Sequence, residues 1–320
     1  MSNARELAEL GGSYGTGGFV GMKNRIINGD MQISQRGTTF SSGTGTLTYT
    51  LDRWTVASAG AAVSVAAAQD SVAPYVSYMG ITGASGNTLV GIRQRIEWLN
   101  TKDLAGQNVT VSFYCYNATS NATSATVQLD FPTAKDNYTS TTSTATQSIN
   151  LSNTSTVQTF TFAVPDAGAN GIQLTVYLNN LTSGVLVFRS VQLEKGSTAT
   201  SFDYRSYGTE LALCQRYYVK TFPVGTTPAQ NAGYDGALSF VSQAAQLWDA
   251  MWRFPVNMRI APTTVTTYSP NAASSNWSTN SDSPAASIPN NGSTGLVIRA
   301  TTPAAAGRSY AIQASASAEL

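Results

Sequence analysis

The stretch Val109-Thr110-Val111-Ser112-Phe113-Tyr114-Cys115-Tyr116 decides the fold class, because its apolar side chains recur at every second position through Cys115. Successive side chains of a β-strand point to opposite faces, so this pattern predicts a strand with one buried face and one wet face. The same period of two is found in residues 160–164, 172–178 and 185–191. The chain is therefore expected to be an all-β protein whose core lies between sheets.

Outward from this stretch, short β-prone runs are broken by turn residues, a pattern typical of a sandwich or barrel. Helical patterning is limited to two short stretches, residues 2–10 and residues 209–219, the second with Thr209 as the predicted cap. Residues 137–154 contain no charged side chain and are mostly Ser, Thr, Asn, Ala and Gln, which predicts a long loop or an edge hairpin. Strands are predicted at residues 46–58, 62–68, 75–82, 89–97, 109–116, 126–131, 156–164, 172–178, 185–193, 217–222, 236–241, 247–254, 264–268, 295–300 and 310–316.

These elements predict two folded units and an arm. Residues 23–205 are expected to form one β-sandwich, and residues 206–320 a second, smaller one that carries a long surface loop at 269–294. Residues 1–22 are expected to be an N-terminal arm, because this Gly-rich segment cannot bury enough surface to fold alone. Its docking side chains are predicted to be Leu7, Leu10, Tyr14 and Phe19.

The composition excludes several classes of partner. Charged residues make up 11% of the chain, and 18 basic against 17 acidic residues leave a net charge of +1. No run of like charges is present, so we expect no nucleic-acid partner, and without a long apolar segment we expect no membrane insertion and no secretory signal. Cys115 and Cys214 are expected to be free thiols, although one disulfide is arithmetically possible.

The chain contains no histidine, which excludes histidine-dependent catalysis and imidazole metal sites. We therefore predict a protein that is not an enzyme and that has no cofactor, no catalytic residue and no metal motif; a calcium site built at strand ends stays open. Glycoside hydrolysis needs only two carboxylates, so a glycan depolymerase is retained as a less favoured alternative. Its candidate residues are Asp52, Glu97, Asp130, Glu194 and Asp203, of which Asp52, Glu194 and Asp203 are expected to form ion pairs with Arg53, Lys195 and Arg205.

The 5 tryptophans and 15 tyrosines suggest sugar binding, because aromatic faces stack on the apolar faces of pyranose rings. Trp277 lies in a polar stretch without local apolar neighbours, so we expect it to be exposed and to make the main ligand contact. Trp252 and Tyr268 are the other predicted ligand-binding residues.

Five blocks of sequence stand out in the chain: NRIINGDMQISQR (24–36), YTLDRW (49–54), LVGIRQRIE (89–97), VQLEKG (191–196) and YGTELALCQRYY (207–218). They resemble phage and prophage tail-fibre or minor virion structural proteins that carry these blocks in this order. The resemblance implies a jelly-roll β-sandwich similar to carbohydrate-binding domains and displayed on a virion. It also implies a turn at Asn28-Gly29, an Asp52–Arg53 pair beside a buried Trp54, and a scaffold role for the blocks.

The resemblance leads to an expected function of attachment. The protein is expected to be made in the host cytoplasm and to become a tail fibre or fibre tip of a bacteriophage, a homotrimer docked to other virion proteins through residues 1–21. It is expected to hold the particle to a host-surface polysaccharide. The leading alternative is a capsid decoration, cement or head-fibre protein that stabilises the particle without touching a host.

Overall fold

The computed structural model describes residues 22–70, 77–144, 146–154, 156–243, 247–278, 283–302 and 305–320. The predicted docking residues Leu7, Leu10, Tyr14 and Phe19 lie outside this range. Within it, the strands are β1 (Thr39–Ser41), β2 (Gly43–Thr44), β3 (Thr48–Tyr49), β4 (Thr55–Gly60), β5 (Ser64–Gln69), β6 (Ser77–Thr82), β7 (Asn87–Glu97), β8 (Asn108–Asn117), β9 (Ser124–Ala134), β10 (Asn137–Ser143), β11 (Gln147–Asn150), β12 (Val157–Ala163), β13 (Gly171–Asn179), β14 (Val185–Lys195), β15 (Tyr218–Lys220), β16 (Leu238–Val241), β17 (Asp249–Arg253), β18 (Thr264–Tyr268), β19 (Ala286–Gly292), β20 (Gly295–Ala300) and β21 (Ser309–Ser317).

Strands β1 to β14 build a sandwich of two sheets. The smaller sheet has the order β1-β5-β6-β14-β8-β12, and the larger has the order β10-β9-β13-β7-β4-β2, with β11 also paired to β9 and β3 to β4. The predicted core face of strand β8 is confirmed, since Val109, Val111, Phe113 and Cys115 are all at most 1% exposed. The predicted wet face is wrong at Thr110 and Ser112, which are 0% and 6% exposed because β8 lies between β14 and β12 inside its sheet. The predicted all-β fold with a jelly-roll sandwich is therefore confirmed for the part of the chain that the structure describes.

A second, smaller group of sheets follows. One sheet has the order β15-β21-β16, with β18 also paired to β21, and the other has the order β17-β20-β19. Their shared core is aromatic as well as aliphatic and includes Trp252, Trp277 and Tyr310. The second unit is thus β-structured, as predicted, while its boundary at residue 205 stays a prediction.

The helix α1 (Tyr207–Gln215) joins the two groups of sheets. Its cap is Ser206, whose side chain accepts from the backbone N–H of Thr209 at 3.4 Å, so the prediction of Thr209 as the cap is wrong by one turn. Cys214 on this helix and Tyr217 just after it pack with Ile27 and Ile33 in a small buried cluster. Among the described residues, no helix is long and apolar enough to cross a bilayer.

Two predicted loops contain strands. Residues 137–154 supply β10 and β11, which pair with β9 and form the edge hairpin left open above. The predicted surface loop at 269–294 is wrong in its second half, because β19 pairs there with β20. Pro289, Asn290 and Asn291 are typical of turns, and a register shift between Ser287 and Asn290 accommodates them in an edge strand.

The first block of the resemblance, residues 24–36, contains no strand and is held by buried side chains. Asn28 has a φ of 57°, which makes the expected turn, and its side-chain amide donates to the carbonyls of Ile33 and Asp52 at 2.8 and 3.0 Å. Trp54, fully buried, donates its indole N–H to the carbonyl of Asn28 at 2.9 Å. The block is scaffold, in agreement with the expectation from the resemblance.

The three expected ion pairs between near neighbours do not form. Arg53 pairs with Glu319 and Arg205 with Glu210, while Lys195 donates to the backbone carbonyl of Asp103 at 3.0 Å. Neighbouring side chains on a strand point to opposite faces, so Glu194 and Lys195 on β14 cannot meet. Asp52 instead accepts from the backbone and the side chain of Gln35, both at 2.6 Å.

Candidate functional site

Trp277 is buried, so the expectation that it is an exposed ligand contact is wrong. Its side chain is 0% exposed and packs edge-on against Phe240, with ring centroids 5.1 Å apart. Phe240 in turn stacks on Tyr310, with centroids 5.3 Å apart. These partners come from β16 and β21, which are distant in sequence, and a side chain with no accessible surface presents no face to a sugar.

The other two predicted aromatic residues also have structural partners. Trp252 is 6% exposed and contacts Phe254 edge-on, with centroids 5.0 Å apart. Tyr268 is partly exposed, packs edge-on against Phe222 at 5.3 Å, and its hydroxyl lies 3.2 Å from the Ser315 hydroxyl. The structure therefore does not bring Trp277, Trp252 and Tyr268 together on one exposed aromatic surface, and a ligand role for Tyr268 stays a prediction.

The five candidate carboxylates for hydrolysis each hold a hydrogen bond within the fold. Glu97 accepts from Arg216 and from the Tyr217 hydroxyl, both at 2.9 Å, and Asp130 accepts from Gln173 at 2.8 Å. Glu194 accepts from the Thr200 hydroxyl at 2.7 Å, and Asp203 accepts from the backbone N–H of Asn24 at 3.3 Å. Asp52 accepts from Gln35, as described above. In the described part of the chain, no group of three or more carboxylates and thiols is arranged to hold a metal ion.

The outer face of the larger sheet gathers the polar and aromatic side chains best suited to a ligand. Residues directly opposite each other on paired strands share a face, so the register defines rows across β4, β7, β13 and β9. One row is Thr55, Arg93, Thr175 and Gln128, the next is Ala57, Gly91, Tyr177 and Thr126, and a third contains Arg95, Gln173 and Asp130.

Tyr177 is the aromatic residue of this face. Its ring is partly exposed, and it lies over Gly91 of the neighbouring strand, where an added Cβ would stand 3.5 Å from the tyrosine Cε1. The guanidinium of Arg93 is 5.9 Å from the ring centroid. Because glycine has no side chain, it leaves the tyrosine ring room to settle against the sheet rather than stand away from it.

A groove of about 200 Å³ runs beside this tyrosine. It is lined by Gly45, Leu47, Ala57, Ser58, Ala59, Leu89, Gly91, Arg93 and Tyr177. Leu47, between β2 and β3, is 37% exposed and supplies an apolar side chain to the lining. The groove therefore combines an aromatic ring, aliphatic side chains and one cation, the mixture by which proteins bind amphipathic ligands.

Two larger cavities are lined differently. A cleft of about 440 Å³ between the edges of the two sheets is lined mainly by hydroxyl and amide side chains, and its two phenylalanines, Phe131 and Phe162, are 1% and 4% exposed. A shallow pocket of about 360 Å³ on the sheet of β17, β19 and β20 contains Met251, Arg253 and two asparagines but no aromatic residue. Neither offers an aromatic face, so the smaller groove is the stronger candidate.

The polar end of the candidate site is tied to the rest of the protein. Arg95 donates to Gln173 at 3.0 Å and to a main-chain oxygen of Leu320 at 2.7 Å. Burial lowers the pKa of Arg95, Tyr49 and Tyr138 raise it, and the charges of Arg93 and Arg53 lower it. The hydrogen bonds to Gln173 and Leu320 hold the Arg95 side chain within the fold.

Sequence reasoning identified the strands of this site but not the site. The period-two pattern places Gln173, Thr175 and Tyr177 on the non-core face of β13. That these residues meet Arg93 and Gly91 follows from strand order and register, which alternation does not specify. The search for exposed aromatic residues in loops therefore passed over an aromatic residue within a strand.

No family model matches the chain, and no curated protein matches it. Among solved structures, it is similar to an enzymatically active domain of the bacteriophage CBA120 tailspike protein 4, with 16% identity over 54% of this chain, a TM-score of 0.39 and only 22% of that chain covered. A CBM4 structure has 17% identity over 53% of this chain and 99% of its own, with a TM-score of 0.34. A structure described among the carbohydrate-binding modules of the β-sandwich superfamily has 9% identity over 45% of this chain and 58% of its own, also at 0.34. At such low scores and identities, the likeness gives no evidence about ligand or activity.

Proposed function

We propose that this chain is a non-enzymatic virion protein that binds a host-surface glycan through the outer face of the larger sheet. The observation that carries the proposal is the partly exposed ring of Tyr177, bordered by the groove and by the polar rows of the same face. Aromatic rings stack on the apolar faces of sugars, while amide, hydroxyl and guanidinium groups hydrogen-bond the sugar hydroxyls. Gln128 and Arg93 place such groups in the row next to the ring.

The virion location is supported by the sequence blocks that resemble tail-fibre proteins. In the structure their polar residues are used internally: Asn24 bonds the backbone of Val191 at 2.9 Å, and Gln94 bonds the carbonyl of Ile27 at 2.8 Å. The block at 89–97 also supplies Leu89, Gly91 and Arg93 to the groove, so this part of the candidate site departs from the expectation that the blocks are scaffold alone. We further propose docking through residues 1–21 and a trimeric fibre or fibre tip, as the resemblance implies.

The proposal of a binding protein rather than a hydrolase is supported by how the carboxylates are used. A general acid for glycoside hydrolysis needs a carboxyl group with access to the substrate. Glu97 and Glu194 are 2% and 3% exposed, and Asp52 is 1% exposed. Each is occupied by the structural hydrogen bonds described above.

Affinity electrophoresis tests the proposed function. The full chain is run through native gels that contain purified bacterial surface polysaccharides or plant glucans, and binding retards it relative to a gel without polysaccharide. We expect Tyr177→Ala to abolish the retardation. The matched control is Tyr207→Ala, because Tyr207 is 48% exposed and lies on α1, outside the sheet.

Equal retardation of the wild type and Tyr177→Ala would contradict the proposed site. Release of reducing ends from a retarding polysaccharide would contradict the non-enzymatic function. Normal adsorption to host cells by particles that lack the protein would contradict attachment and favour the cement alternative.

A further inference from the structure

Arg93 differs from most arginines of the described residues because no carboxylate meets it. The arginines that form an ion pair are Arg25, Arg36, Arg53, Arg189, Arg205, Arg216, Arg259 and Arg299. Arg93 is partly buried in the middle of the outer sheet face, and its guanidinium lies 5.9 Å from the centroid of the Tyr177 ring. A cation in this position has lost part of its hydration without gaining an anion.

Two polar atoms in the row of Arg93 have no hydrogen-bond partner. The Nε of Arg93 is buried and unpaired, and so is the hydroxyl oxygen of Thr175, a residue that is 0% exposed and lies directly opposite Arg93. Thr175 has no accessible surface and does not line the groove, so the guanidinium of Arg93 is the group of this row that a ligand in the groove can meet. A guanidinium has donors and no acceptor, and it therefore favours a ligand that accepts hydrogen bonds.

The charge balance of the face points to an anionic acceptor. Arg93 and Arg95 lie on adjacent outward positions of β7, two residues apart. Asp130, the carboxylate in the third row, is already bonded to Gln173, Gln128 and Ser143. Arg93 is the charged residue of the groove lining, and none of the ion pairs among the described residues includes it.

We infer that the groove binds a sugar residue that carries a carboxylate, of the uronic-acid type, with its carboxylate on Arg93 and its ring on Tyr177. The planar fork of a guanidinium matches a carboxylate and binds it through two hydrogen bonds. The apolar lining of Leu47 and Leu89 lies beside the same ring position. This inference rests on the proposed function and names the ligand class of the same site.

The test compares one polymer with and without its carboxylates. Polygalacturonate and its carboxyl-reduced form are used in affinity electrophoresis with the full chain. We expect polygalacturonate to bind at least about tenfold more tightly, and Arg93→Gln to remove that preference, because one charge-assisted bidentate contact accounts for such a ratio. Arg253→Gln is the matched control, since Arg253 is an exposed arginine without an ion pair that lines the separate pocket on β17.

A second measurement uses the unaltered protein, so that it does not depend on the folding of a variant. Raising the salt concentration from about 0.05 to about 0.5 M is expected to weaken binding to polygalacturonate and to leave binding of neutral polysaccharides unchanged, because salt screens charge pairs. Equal affinity for the two polymers, binding to neither, or an unchanged preference in Arg93→Gln would overturn the inference. Tyr177-dependent binding of a neutral polysaccharide alongside any of these results would leave the proposed function standing.

Discussion

Glu319 is held by the guanidinium of Arg53, a residue 266 positions earlier in the chain. The same carboxylate accepts from Arg36 at 3.0 Å, and the side chains of Arg53 and Glu319 are 1% and 6% exposed. Arg53 also lies over the ring of Tyr217, with its central carbon 3.5 Å from the centroid. This contact joins the sandwich to the segment that follows β21.

We expect Glu319→Gln to lower the free energy of unfolding by about 3 kcal/mol, because it leaves the buried Arg53 without its anion. Asp249→Asn is the control, since Asp249 and Arg299 form an exposed pair at 2.7 Å, and the loss of an exposed pair should cost much less than the loss of the buried one. Urea unfolding of both variants measures the difference. Similar losses in the two variants would contradict a special role for Glu319.

Asn28→Ala is expected to lower stability by about 2–4 kcal/mol. The change removes three side-chain hydrogen bonds to Ile33 and Asp52 and forces alanine into a positive φ. Asn231 has the same φ of 57° but is exposed, so Asn231→Ala should cost only about 1 kcal/mol for the backbone strain. The denaturation midpoints of the two variants are each compared with that of the wild type. The difference between the two shifts gives the contribution of the Asn28 side-chain hydrogen bonds, because the backbone strain is common to both variants.

Trp277→Ala is expected to destabilise the fold by about 3–5 kcal/mol, because it opens a cavity beside Phe240. Trp98→Ala should cost less, since Trp98 is only partly buried and its ring lies against the Lys135 ammonium, 4.1 Å from the ring centroid. Thermal unfolding of the two variants gives the comparison. A small effect of Trp277→Ala together with loss of glycan binding would restore the original prediction for this residue.

The contribution of Cys115 to stability is expected to fall at high pH. Burial raises the pKa of this thiol to about 12 from 9.0, so the unfolded chain loses the proton before the folded protein does. The thiol's contribution is therefore fully present below pH 9 and is lost as pH rises toward 12, by at most about 1.4 kcal/mol per pH unit. The difference in unfolding free energy between wild type and Cys115→Ala, measured at pH 8 and at higher pH, should shrink; a constant difference would contradict the burial argument.

Alternation in the sequence was sufficient to predict most strands. Strands β18 and β20 have the predicted bounds, 264–268 and 295–300, because turn residues bracket a clear pattern in each. Strand β19 was missed because its central Pro289 and Asn290 are typical turn residues, and only pairing with β20 makes an edge strand of them. Local sequence therefore predicted strands with a clear alternation of apolar and polar residues. It did not predict β19, which is a strand because it pairs with β20.

The candidate site was less accessible to sequence reasoning. Trp277 has no apolar neighbour within its own stretch, but Phe240 reaches it from β16, so its burial depends on contacts that local sequence does not contain. Tyr177 and Arg93 belong to strands that were predicted, yet their proximity depends on the register between β13 and β7. A one-residue slip would place one of them in the core.

The segment of residues 24–36 has a consequence for how the chain folds. It forms no strand of its own, and its side-chain contacts reach Val191, 167 positions away, and Glu319, 283 positions away from Arg36. Such contacts form only after very long loops have closed, and loop closure slows folding. The segment can therefore take up its final position only when nearly the whole chain has folded. We therefore expect the two groups of sheets to unfold in a single cooperative transition, with this segment as the last part to become ordered during refolding.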